Sequence, residues 1–300
     1  MIQHTLQQPF TLDGKGLHTG IHIIAEFLPA LESTGIRFCR SDMPGQPIIE
    51  AIASNVAATE RGTVVKRGDA VVSTIEHTMA ALSAHGIDNC LIKVNAPEVP
   101  ILDGSAAIIC QKIKEAGIKE QRAERKVMKI TKPQRFTFPN GSEIDIIPND
   151  KFCIASTIDF GSPILSKQTA ILENLEDFDT EIASARTFVF VREIEPLIHH
   201  NLIKGGDLDN AIVIYDQPMP QENIDKLTNL LGIEKIHIDS LGYLNRRPLT
   251  WDNEPARHKL LDIIGDLALV GCPIIGKVIA YKPGHNVNTQ VAKALLELQQ

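Results

Sequence analysis

A single order of secondary-structure elements occurs twice along the chain and restricts the possible folds more than any other feature of the sequence. In the first half, a helix predicted over Ser73–His85 ends before Gly86 and is followed by a strand, a loop and a helix over Ser105–Ala116. In the second half, a helix predicted over Pro255–Val270 ends before Gly271, and the same order follows. The remaining elements of the repeat are the predicted strands Asn89–Val94 and Ile274–Tyr281 and a helix from Asn288 onward. We interpret this repeat as a structural duplication.

Runs typical of β-strands precede both helix pairs. They are rich in β-branched residues and are separated by Pro, Gly and Asp, as in antiparallel sheets. These runs are His22–Cys39, Gly62–Ser73, Val127–Ile130, Ser142–Ile147 and Phe152–Phe160. The sequence therefore predicts an α+β protein with two similar domains, residues 1–124 and 125–300, joined by a polar linker over Lys119–Arg125.

Two segments of the second half have no obvious counterpart in the first. Phe188–Asp216 has the pattern of a strand, a helix and a strand, and Gln217–Leu249 mixes polar and apolar residues without a clear chemical role. Insertions on a shared scaffold often carry specificity. We therefore expect the first of these segments to contribute to ligand recognition.

The composition excludes several classes of protein. Hydrophobic residues make up 43% of the chain, which suffices for a buried core, and the net charge of -7 disfavours nonspecific binding of nucleic acid. No run approaches the ~18 apolar residues that span a bilayer, and the first residues lack the segments of a signal peptide. The five cysteines include no CxxC pair, which is typical of unpaired thiols in a reducing compartment. We expect a cytoplasmic protein without integral membrane association, in which His and carboxylate side chains hold any metal.

The helix predicted over Pro255–Val270 has an unusual polar stripe. At 100° per residue, His258, Asp262 and Asp266 fall within about 80° of one another, whereas the apolar residues cover the opposite face. One interpretation is a solvated polar face. The other is a metal site, because His258 and Asp262 are one turn apart and can reach one ion, with Asp266 as a supporting partner. The metal interpretation needs a third ligand from elsewhere in the chain.

The start of the matching helix in the first half also has two interpretations. Ser73 and Glu76 have the spacing of a capping box, in which Glu76 bonds the backbone amide of Ser73. Alternatively, Glu76 and His77 form the pair that metal hydrolases use, with the carboxylate as general base and the imidazole as metal ligand.

The loop Lys282–Asn286 follows the last predicted strand and corresponds to Pro100–Gly104 of the first half. His285 can be a simple turn residue. A loop between a strand and a helix is also a common place for a catalytic imidazole, and Gly284 permits close approach of the backbone to a ligand.

These segments together resemble the UDP-3-O-acyl-N-acetylglucosamine deacetylase family, the zinc amidases of the committed step of lipid A biosynthesis. The resemblance runs nearly end to end and keeps the family's order of motifs. The motifs are GKGLHTG (14–20), STIEHTMAAL (73–82), NAPEVPILDGSA (95–106), TIDF (157–160), ARTF (185–188), RHKLLDIIGDL (257–267) and YKPGHN (281–286). The resemblance implies that each half layers two helices on a sheet and carries an insert, with the helix layers packed together and the site between them.

The resemblance also implies a set of site residues. Zn²⁺ is expected on His77, His258 and Asp262, and the reaction is expected to release acetate and a free amine from UDP-3-O-(3-hydroxyacyl)-N-acetylglucosamine. Glu76 is expected to take a proton from water, and Thr187 to stabilise the oxyanion. Asp266 is expected to keep His285 cationic, and His285 to act as electrostatic stabiliser or acid. Whether Glu76 handles both proton transfers stays open at this point.

The substrate contacts implied by the resemblance lie in the second half. Lys259 and Lys282 are candidates for the phosphates and the glucosamine, and Asp159 and Phe160 for the uridine end. An acyl passage is expected in the insert of about residues 188–216, where Val189 replaces the Gly of many relatives and predicts a narrower passage. Its candidate lining residues, which can equally form the insert's own core, are Phe188, Ile194, Leu197, Ile198, Leu202 and Ile203.

Two other functions compete with this interpretation. One is a different zinc amide hydrolase, such as a peptidase, and the other is a non-catalytic module that binds nucleotide sugars. Some relatives continue into a fused hydroxyacyl-carrier-protein dehydratase, so the chain can also be one part of a longer protein.

Overall fold

The computed structural model describes residues 1–200, 202–231, 240–244 and 246–298. The elements of the first half follow in chain order. They are β1 (Ile2–Leu6), β2 (Phe10–Lys15), β3 (His22–Pro29), β4 (Ile36–Arg40), β5 (Ile48–Glu50), β6 (Val56–Ala58), β7 (Val64–Arg67), β8 (Ala70–Val72), α1 (Glu76–Ala84), β9 (Cys90–Val94), α2 (Ala107–Ala116) and β10 (Ile118–Glu124).

The second half contains the remaining strands and helices of the described residues. They are β11 (Met128–Lys129), β12 (Gln134–Thr137), β13 (Glu143–Ile147), β14 (Cys153–Ile158), β15 (Gln168–Leu172), α3 (Phe178–Glu181), β16 (Phe188–Phe190), α4 (Val191–His199), β17 (Ile212–Tyr215), α5 (Gln221–Leu231), β18 (Gly242–Tyr243), α6 (Glu254–Leu267), β19 (Ile274–Ile275), β20 (Lys277–Tyr281) and α7 (His285–Glu297).

Each half builds a five-stranded sheet, and the two sheets have the same topology. The strand order is β2-β3-β9-β4-β5 in one sheet and β12-β13-β20-β14-β15 in the other. In both, the central strand pairs antiparallel on one side and parallel on the other, with Phe38 opposite Ile92 in the first sheet and Ile154 opposite Val278 in the second. The predicted duplication and the α+β class are therefore confirmed.

The helices form the layer between the sheets. In each half one helix precedes the central strand and one follows it, namely α1 and α2 around β9, and α6 and α7 around β20. Helix α1 packs against α6, so the two halves meet helix to helix as expected. Gly86 and Gly271 end the first helix of each pair with positive φ of 66° and 81°, which a glycine adopts without steric cost.

Alternation of side chains places the core on the inner face of each sheet. In β3 the side chains of Ile23, Ala25 and Phe27 are fully buried, while the residues between them face outward. Full burial of a side chain such as Phe27 contributes about 1.5–3 kcal/mol relative to its exposed state. The sheets therefore hold the helix layer, and with it the helix side chains, in a fixed position.

The predicted linker over Lys119–Arg125 contains a strand that was not predicted. Residues Ile118–Glu124 form β10, which pairs antiparallel with β1. Its long polar side chains do not show the alternation typical of a half-buried strand. They stand on the exposed faces of a two-stranded ribbon, where only the backbone needs a partner. The segment thus ties the end of the first half to the beginning of the chain.

Each half carries an insert. In the first half β6, β7 and β8 form a small antiparallel sheet between β5 and α1. In the second half β16, α4 and β17 have the predicted strand–helix–strand order, and β18 joins the edge of β17. The unassigned segment 217–249 contains α5 and β18, but residues 232–239 and 245 of it lie outside the described residues. In the described part of the chain, no helix has both the length and the apolar character to cross a bilayer.

Candidate active site

Three potential metal ligands from the two halves converge where α1 meets α6. Nε2 of His258 lies 3.4 Å from Oδ1 of Asp262, and Nε2 of His77 lies 3.8 Å from the same oxygen. One ligand atom of each residue lies within 4.8 Å of the other two. The arrangement can hold a metal ion with two imidazoles and one carboxylate.

A glycine in α6 permits this close approach of the helices. A Cβ built on Gly265 would lie 2.0 Å from the carbonyl oxygen of Glu76, closer than any real contact. Any larger residue would therefore push α1 away from α6. The first turn of α1, which carries Glu76 and His77, rests directly on this glycine.

The capping-box hypothesis for Glu76 is wrong. Helix α1 begins at Glu76 itself, no side chain caps it, and the hydroxyl of Ser73 donates to the carbonyl oxygen of Pro97. Oε2 of Glu76 instead accepts a hydrogen bond of 2.9 Å from the backbone amide of Thr63. The carboxylate is thus tied to the loop of the small β6–β8 sheet and is buried beside His77.

The polar stripe of α6 is buried, so its interpretation as a solvated face is also wrong. His258, Asp262 and Asp266 are at most 1% exposed. Nδ1 of His258 lies 3.0 Å from the carbonyl oxygen of Ala185, which can only accept, so Nδ1 carries the proton and Nε2 is left to face Asp262. Such a hydrogen bond on the far nitrogen is typical of metal-binding histidines.

Burial keeps both imidazoles neutral. Burial, together with the neighbouring His258, lowers the pKa of His77 to about 3, and burial also lowers the pKa of His258. Although burial alone raises the pKa of a carboxyl group, the positive charge of Lys259 holds the pKa of Asp262 well below its usual range. The three groups therefore present two lone pairs and a negative charge, which is the protonation state that a metal requires.

Oδ1 of Asp262 has the surroundings of a metal ligand. The atom is shielded from solvent and accepts no hydrogen bond from the described residues, whereas Oδ2 accepts one of 2.7 Å from Lys259. An unpaired buried carboxylate oxygen is costly unless another partner binds it. The donor set of two imidazole nitrogens and one carboxylate oxygen is typical of catalytic zinc sites.

Two further titratable groups face each other across the site. Nε2 of His285 lies 4.0 Å from Oε1 of Glu76 and 3.8 Å from Oδ2 of Asp262. Burial raises the pKa of Glu76 to about 7, despite the opposing positive charge of His285. Although burial alone lowers the pKa of an imidazole, the carboxylates of Asp266, Asp262 and Glu76 raise the pKa of His285 to about 9.

The position of His285 depends on a hydrogen-bonded network around Asp266. Oδ2 of Asp266 lies 3.0 Å from Nδ1 of His285 and accepts 2.9 Å from Asn288, while Oδ1 accepts 2.5 Å from the hydroxyl of Thr63. Thr63 and Asn288 were not predicted. His285 is the first residue of α7 rather than a loop residue, and Gly284 before it has extended backbone that any residue adopts.

A polar cavity of about 320 Å³ joins these groups. Thr187 and Phe188 line it opposite Glu76 and His77, and Lys259 lies at its wall with its ammonium 5.4 Å from the centre of the Phe188 ring. The backbone amide of Thr187 donates 2.8 Å to the carbonyl oxygen of Gly104, so the first half positions this part of the insert.

An apolar cavity of about 110 Å³ adjoins the polar one at Leu17, Arg61, Thr187 and Phe188. Among the predicted acyl-passage residues, those that line it are Phe188, Ile194, Leu197 and Ile203, and Val189 lines it as well. Ile198 and Leu202 do not line it and pack instead into the insert's own apolar cluster. The segment that had no predicted role contributes Ile224, Leu227 and Leu244 to the wall.

Comparison with known proteins identifies the family. The family model described as UDP-3-O-acyl N-acetylglycosamine deacetylase matches residues 3–229 and 232–297. The chain belongs to this deacetylase family. It is 52% identical over 294 residues to the bifunctional enzyme LpxC/FabZ of Porphyromonas gingivalis and 50% identical to that of Bacteroides thetaiotaomicron. In both comparisons the match covers 98% of this chain and 64% of the relative's length.

A single-function relative is matched over most of its length. The chain is 40% identical over 296 residues to the UDP-3-O-acyl-N-acetylglucosamine deacetylase of Syntrophotalea carbinolica, covering 98% of this chain and 87% of that protein. The match therefore includes the segments that build both sheets and the helix layer.

The remaining predicted contact residues of this deacetylase-family chain cluster at one end of its second sheet. Nζ of Lys282 lies 3.5 Å from Oδ2 of Asp159, which also accepts 3.0 Å from the hydroxyl of Tyr281. These two partners lower the pKa of Asp159, with Tyr281 the stronger. Phe160 is 39% exposed and meets Phe188 edge to face at 5.4 Å. Phe160 therefore contacts a residue that lines the polar cavity, since Phe188 belongs to its wall.

Proposed function

We propose that the chain hydrolyses the N-acetyl group of UDP-3-O-(3-hydroxyacyl)-N-acetylglucosamine, releasing acetate and the free amine in lipid A biosynthesis. The observation that carries the proposal is the convergence of His77 with His258 and Asp262 beside the Glu76–His285 pair. Membership of the deacetylase family supplies the substrate class. The adjoining apolar cavity fits a substrate that bears an acyl chain.

The proposed metal is Zn²⁺, held by His77, His258 and Asp262. Neutral imidazoles and the unpaired Oδ1 of Asp262 support this assignment. Bound Zn²⁺ supplies Lewis-acid chemistry, because it lowers the pKa of water to about 7 and polarises a carbonyl group.

Glu76 is the proposed general base. Its carboxylate is held by the Thr63 amide, and its pKa of about 7 lies near physiological pH, where general bases are most effective. In its ionised form it accepts a proton from the attacking water. Its Oε1 lies 4.0 Å from Nε2 of His285, so the proposed base and the second proton-transfer group are adjacent.

His285 is the proposed general acid, so we favour the mechanism with two separate residues. Asp266 holds Nδ1 of the imidazole, which directs Nε2 towards Glu76 and into the cavity. Two neighbouring groups whose environments push their pKa values to about 7 and about 9 are suited to the roles of base and acid. His285 donates its proton to the leaving amine, and the hydroxyl of Thr187 stabilises the oxyanion of the tetrahedral intermediate.

The proposed substrate contacts follow the two cavities. Ile194 and Leu197 line the apolar cavity for the acyl chain, and Lys259, which lines the polar cavity, is the proposed contact of the glucosamine or its phosphates. Lys282 with Asp159 and Phe160 form the proposed end for the diphosphate and uridine. Ile198 and Leu202 act through the packing of the insert rather than through contact with the acyl chain of the substrate.

We propose the cytoplasm as the site of the reaction. Cys39, Cys90, Cys110 and Cys153 are buried and free, which is typical of proteins in reducing compartments. The proposed activity concerns the part that the relatives share, because the chain spans 64% of the length of the two bifunctional relatives.

An acetate-release assay on the acylated UDP-sugar tests the proposed function. We expect the purified chain to release acetate stoichiometrically with the amine, to lose this activity after chelation and to regain it with Zn²⁺. N-acetylated peptides serve as the matched substrates for a peptidase. Cleavage of the peptides but not of the sugar nucleotide, or full activity without a metal, would overturn the proposal.

A further inference from the structure

A second group of metal-ligating side chains lies where α1, α2 and α3 meet. His85 follows the last residue of α1, Cys110 lies within α2, and Asp179 lies in α3. One ligand atom of each residue lies within 4.8 Å of the other two, as in the candidate active site. At ~1.5 Å of rise per residue, the length of α1 puts about 12 Å between His77 and His85, so the two groups are separate.

We propose that His85, Cys110 and Asp179 form a second binding site for Zn²⁺, which ties the first half of the chain to the second. The nitrogen, sulfur and oxygen donors form a borderline-soft ligand set that suits Zn²⁺ rather than Mg²⁺ or Ca²⁺. Asp179 comes from the second half and the other two residues from the first, so an ion here would hold α3 against the α1–α2 pair. This site is not expected from the wide spacing of the cysteines along the sequence.

The hydrogen bond on the far nitrogen of His85 supports a cation at this point. Nδ1 lies 2.9 Å from the carbonyl oxygen of Ala81, which can only accept, so Nδ1 carries a proton. In the neutral ring Nε2 then presents a lone pair, and it lies 3.3 Å from Oδ2 of Asp179. A lone pair facing a carboxylate is repulsive unless a proton or a metal ion lies between the two atoms.

The distance between those two atoms matches a shared zinc ion. Nitrogen and oxygen ligands at about 2.0–2.1 Å from a tetrahedral ion stand about 3.3–3.4 Å apart. In addition, Oδ1 of Asp179 is shielded from solvent, and the Cys110 thiol is hydrogen-bonded to the Asp179 carboxylate. An ion that replaces the thiol proton would therefore bind both side chains where that proton now links them.

Binding must displace two existing partners. Burial and the nearby carboxylate raise the pKa of the Cys110 thiol, so the metal binds as the S–H bond breaks, the S–Zn bond forms and one proton leaves to solvent. Lys114 donates to Oδ2 of Asp179, but its side chain is 60% exposed. Its ammonium can move into water at little cost, as for other surface ion pairs.

Cobalt substitution tests the proposal through the thiolate. After chelation, Co²⁺ is added to the full chain, and bound metal and the near-ultraviolet absorption are measured. We expect two ions per chain and a thiolate-to-cobalt charge-transfer band, which the two imidazoles and one carboxylate of the candidate active site cannot give. The His77→Ala variant is expected to bind one ion and to keep the band, so failure of the proposed function leaves this test intact.

The variants separate a metal site from a simple His85–Asp179 ion pair. Cys110→Ser is expected to abolish the band and one equivalent of metal, while Cys153→Ser, at a buried thiol elsewhere, is expected to keep both. If Cys110→Ser fails to fold, His85→Gln provides the test, with the Co²⁺ affinity read from the band. Loss of a residue that only supports a ligand weakens metal affinity at least about 10-fold, so loss of the direct ligand His85 must weaken it by more than that. One ion per chain without a band, or a band that survives Cys110→Ser, would overturn the proposal.

Discussion

The two halves share a sheet topology and a helix pair, yet they contribute unequally to the candidate active site. Helix α6 presents His258, Asp262 and Asp266 along three successive turns, all of them buried. Helix α1, its counterpart, presents Glu76 and His77 only in its first turn. The second half therefore carries most of the ligand set, and the first half supplies one ligand and the proposed base.

The loops that follow the central strands of the two sheets also contribute unequally to the candidate active site. In the second half the loop leads into His285, whose imidazole faces the site. In the first half the loop ends at Gly104, whose carbonyl accepts from the amide of Thr187 and where a Cβ would lie 1.9 Å from the backbone oxygen of Asn210. One loop thus provides a reacting group and the other a backbone surface that positions the insert. A duplicated scaffold has kept its shape while its two copies specialise.

The largest expected effect comes from removing one metal ligand of each half. His77→Ala and His258→Ala should both lose bound zinc and lower acetate release to background, because three protein ligands with one open position are the minimum of a catalytic zinc site. Metal analysis and the acetate assay measure the two effects. The matched control is His22→Ala, at an imidazole that is 65% exposed. If either ligand variant kept zinc and activity, the two halves would not share the site.

Glu76→Gln should separate catalysis from metal binding. The amide keeps the shape and the hydrogen bond from Thr63 but cannot accept a proton, so kcat should fall about 10²–10⁴-fold, the usual contribution of a general base. Zinc content should stay at the wild-type level. Glu115→Gln, at an exposed carboxylate of α2, provides the control and should leave kcat unchanged. Near-normal kcat in Glu76→Gln would show that Glu76 is not the general base.

The pH profile tests the contribution of the second half. Activity should rise with pH through the pKa of Glu76, near 7, because the base must lose its proton, and fall above the pKa of His285, near 9, because the acid must keep its own. Asp266→Asn removes the carboxylate that raises the pKa of His285, so the alkaline limb should move to lower pH. Activity should fall about 10–100-fold, as for other supporting residues of metal sites.

A surface pair of the same chemistry provides the control for this profile. Oδ1 of Asp13 lies 2.7 Å from Nε2 of His22, and both side chains are 65% exposed. Asp13→Asn should leave both limbs in place. An alkaline limb that stays near 9 in Asp266→Asn would show that His285 does not titrate there.

Sequence patterns predicted the parts of the site that are local in the chain. His258, Asp262 and Asp266 follow from helical periodicity, because residues four apart lie on one face. The resemblance to the deacetylase family, with which the duplicated order of elements agrees, predicted that the helix layers of the two halves meet. The roles of the site residues stay predictions; one ligand atom of each of His77, His258 and Asp262 lies within 4.8 Å of the other two.

The parts that were not predicted depend on contacts between distant segments. Thr63 and Asn288 support Asp266 from positions 203 and 22 residues away, and no spacing rule relates them to it. Ile224 and Leu227 of α5 line the apolar cavity in the same way. Strand β10, within the predicted linker, was not predicted either, because a ribbon pairs through its backbone, which side-chain patterns do not reveal.

The smallest effect is expected at the contact that holds the two halves together. Gly265→Ala places a methyl group 2.0 Å from the carbonyl oxygen of Glu76, so α1 and α6 must separate. Overpacking of this kind costs about 1–3 kcal/mol of the free energy of unfolding, which denaturant titration measures. Gly242→Ala is the control, because a Cβ there meets nothing within 4 Å and its φ lies outside the left-handed region. Since Glu76 is the first residue of the helix that moves, Gly265→Ala should also lower kcat. Unchanged stability and kcat would mean that the helices tolerate a wider spacing and that the site does not depend on their close approach.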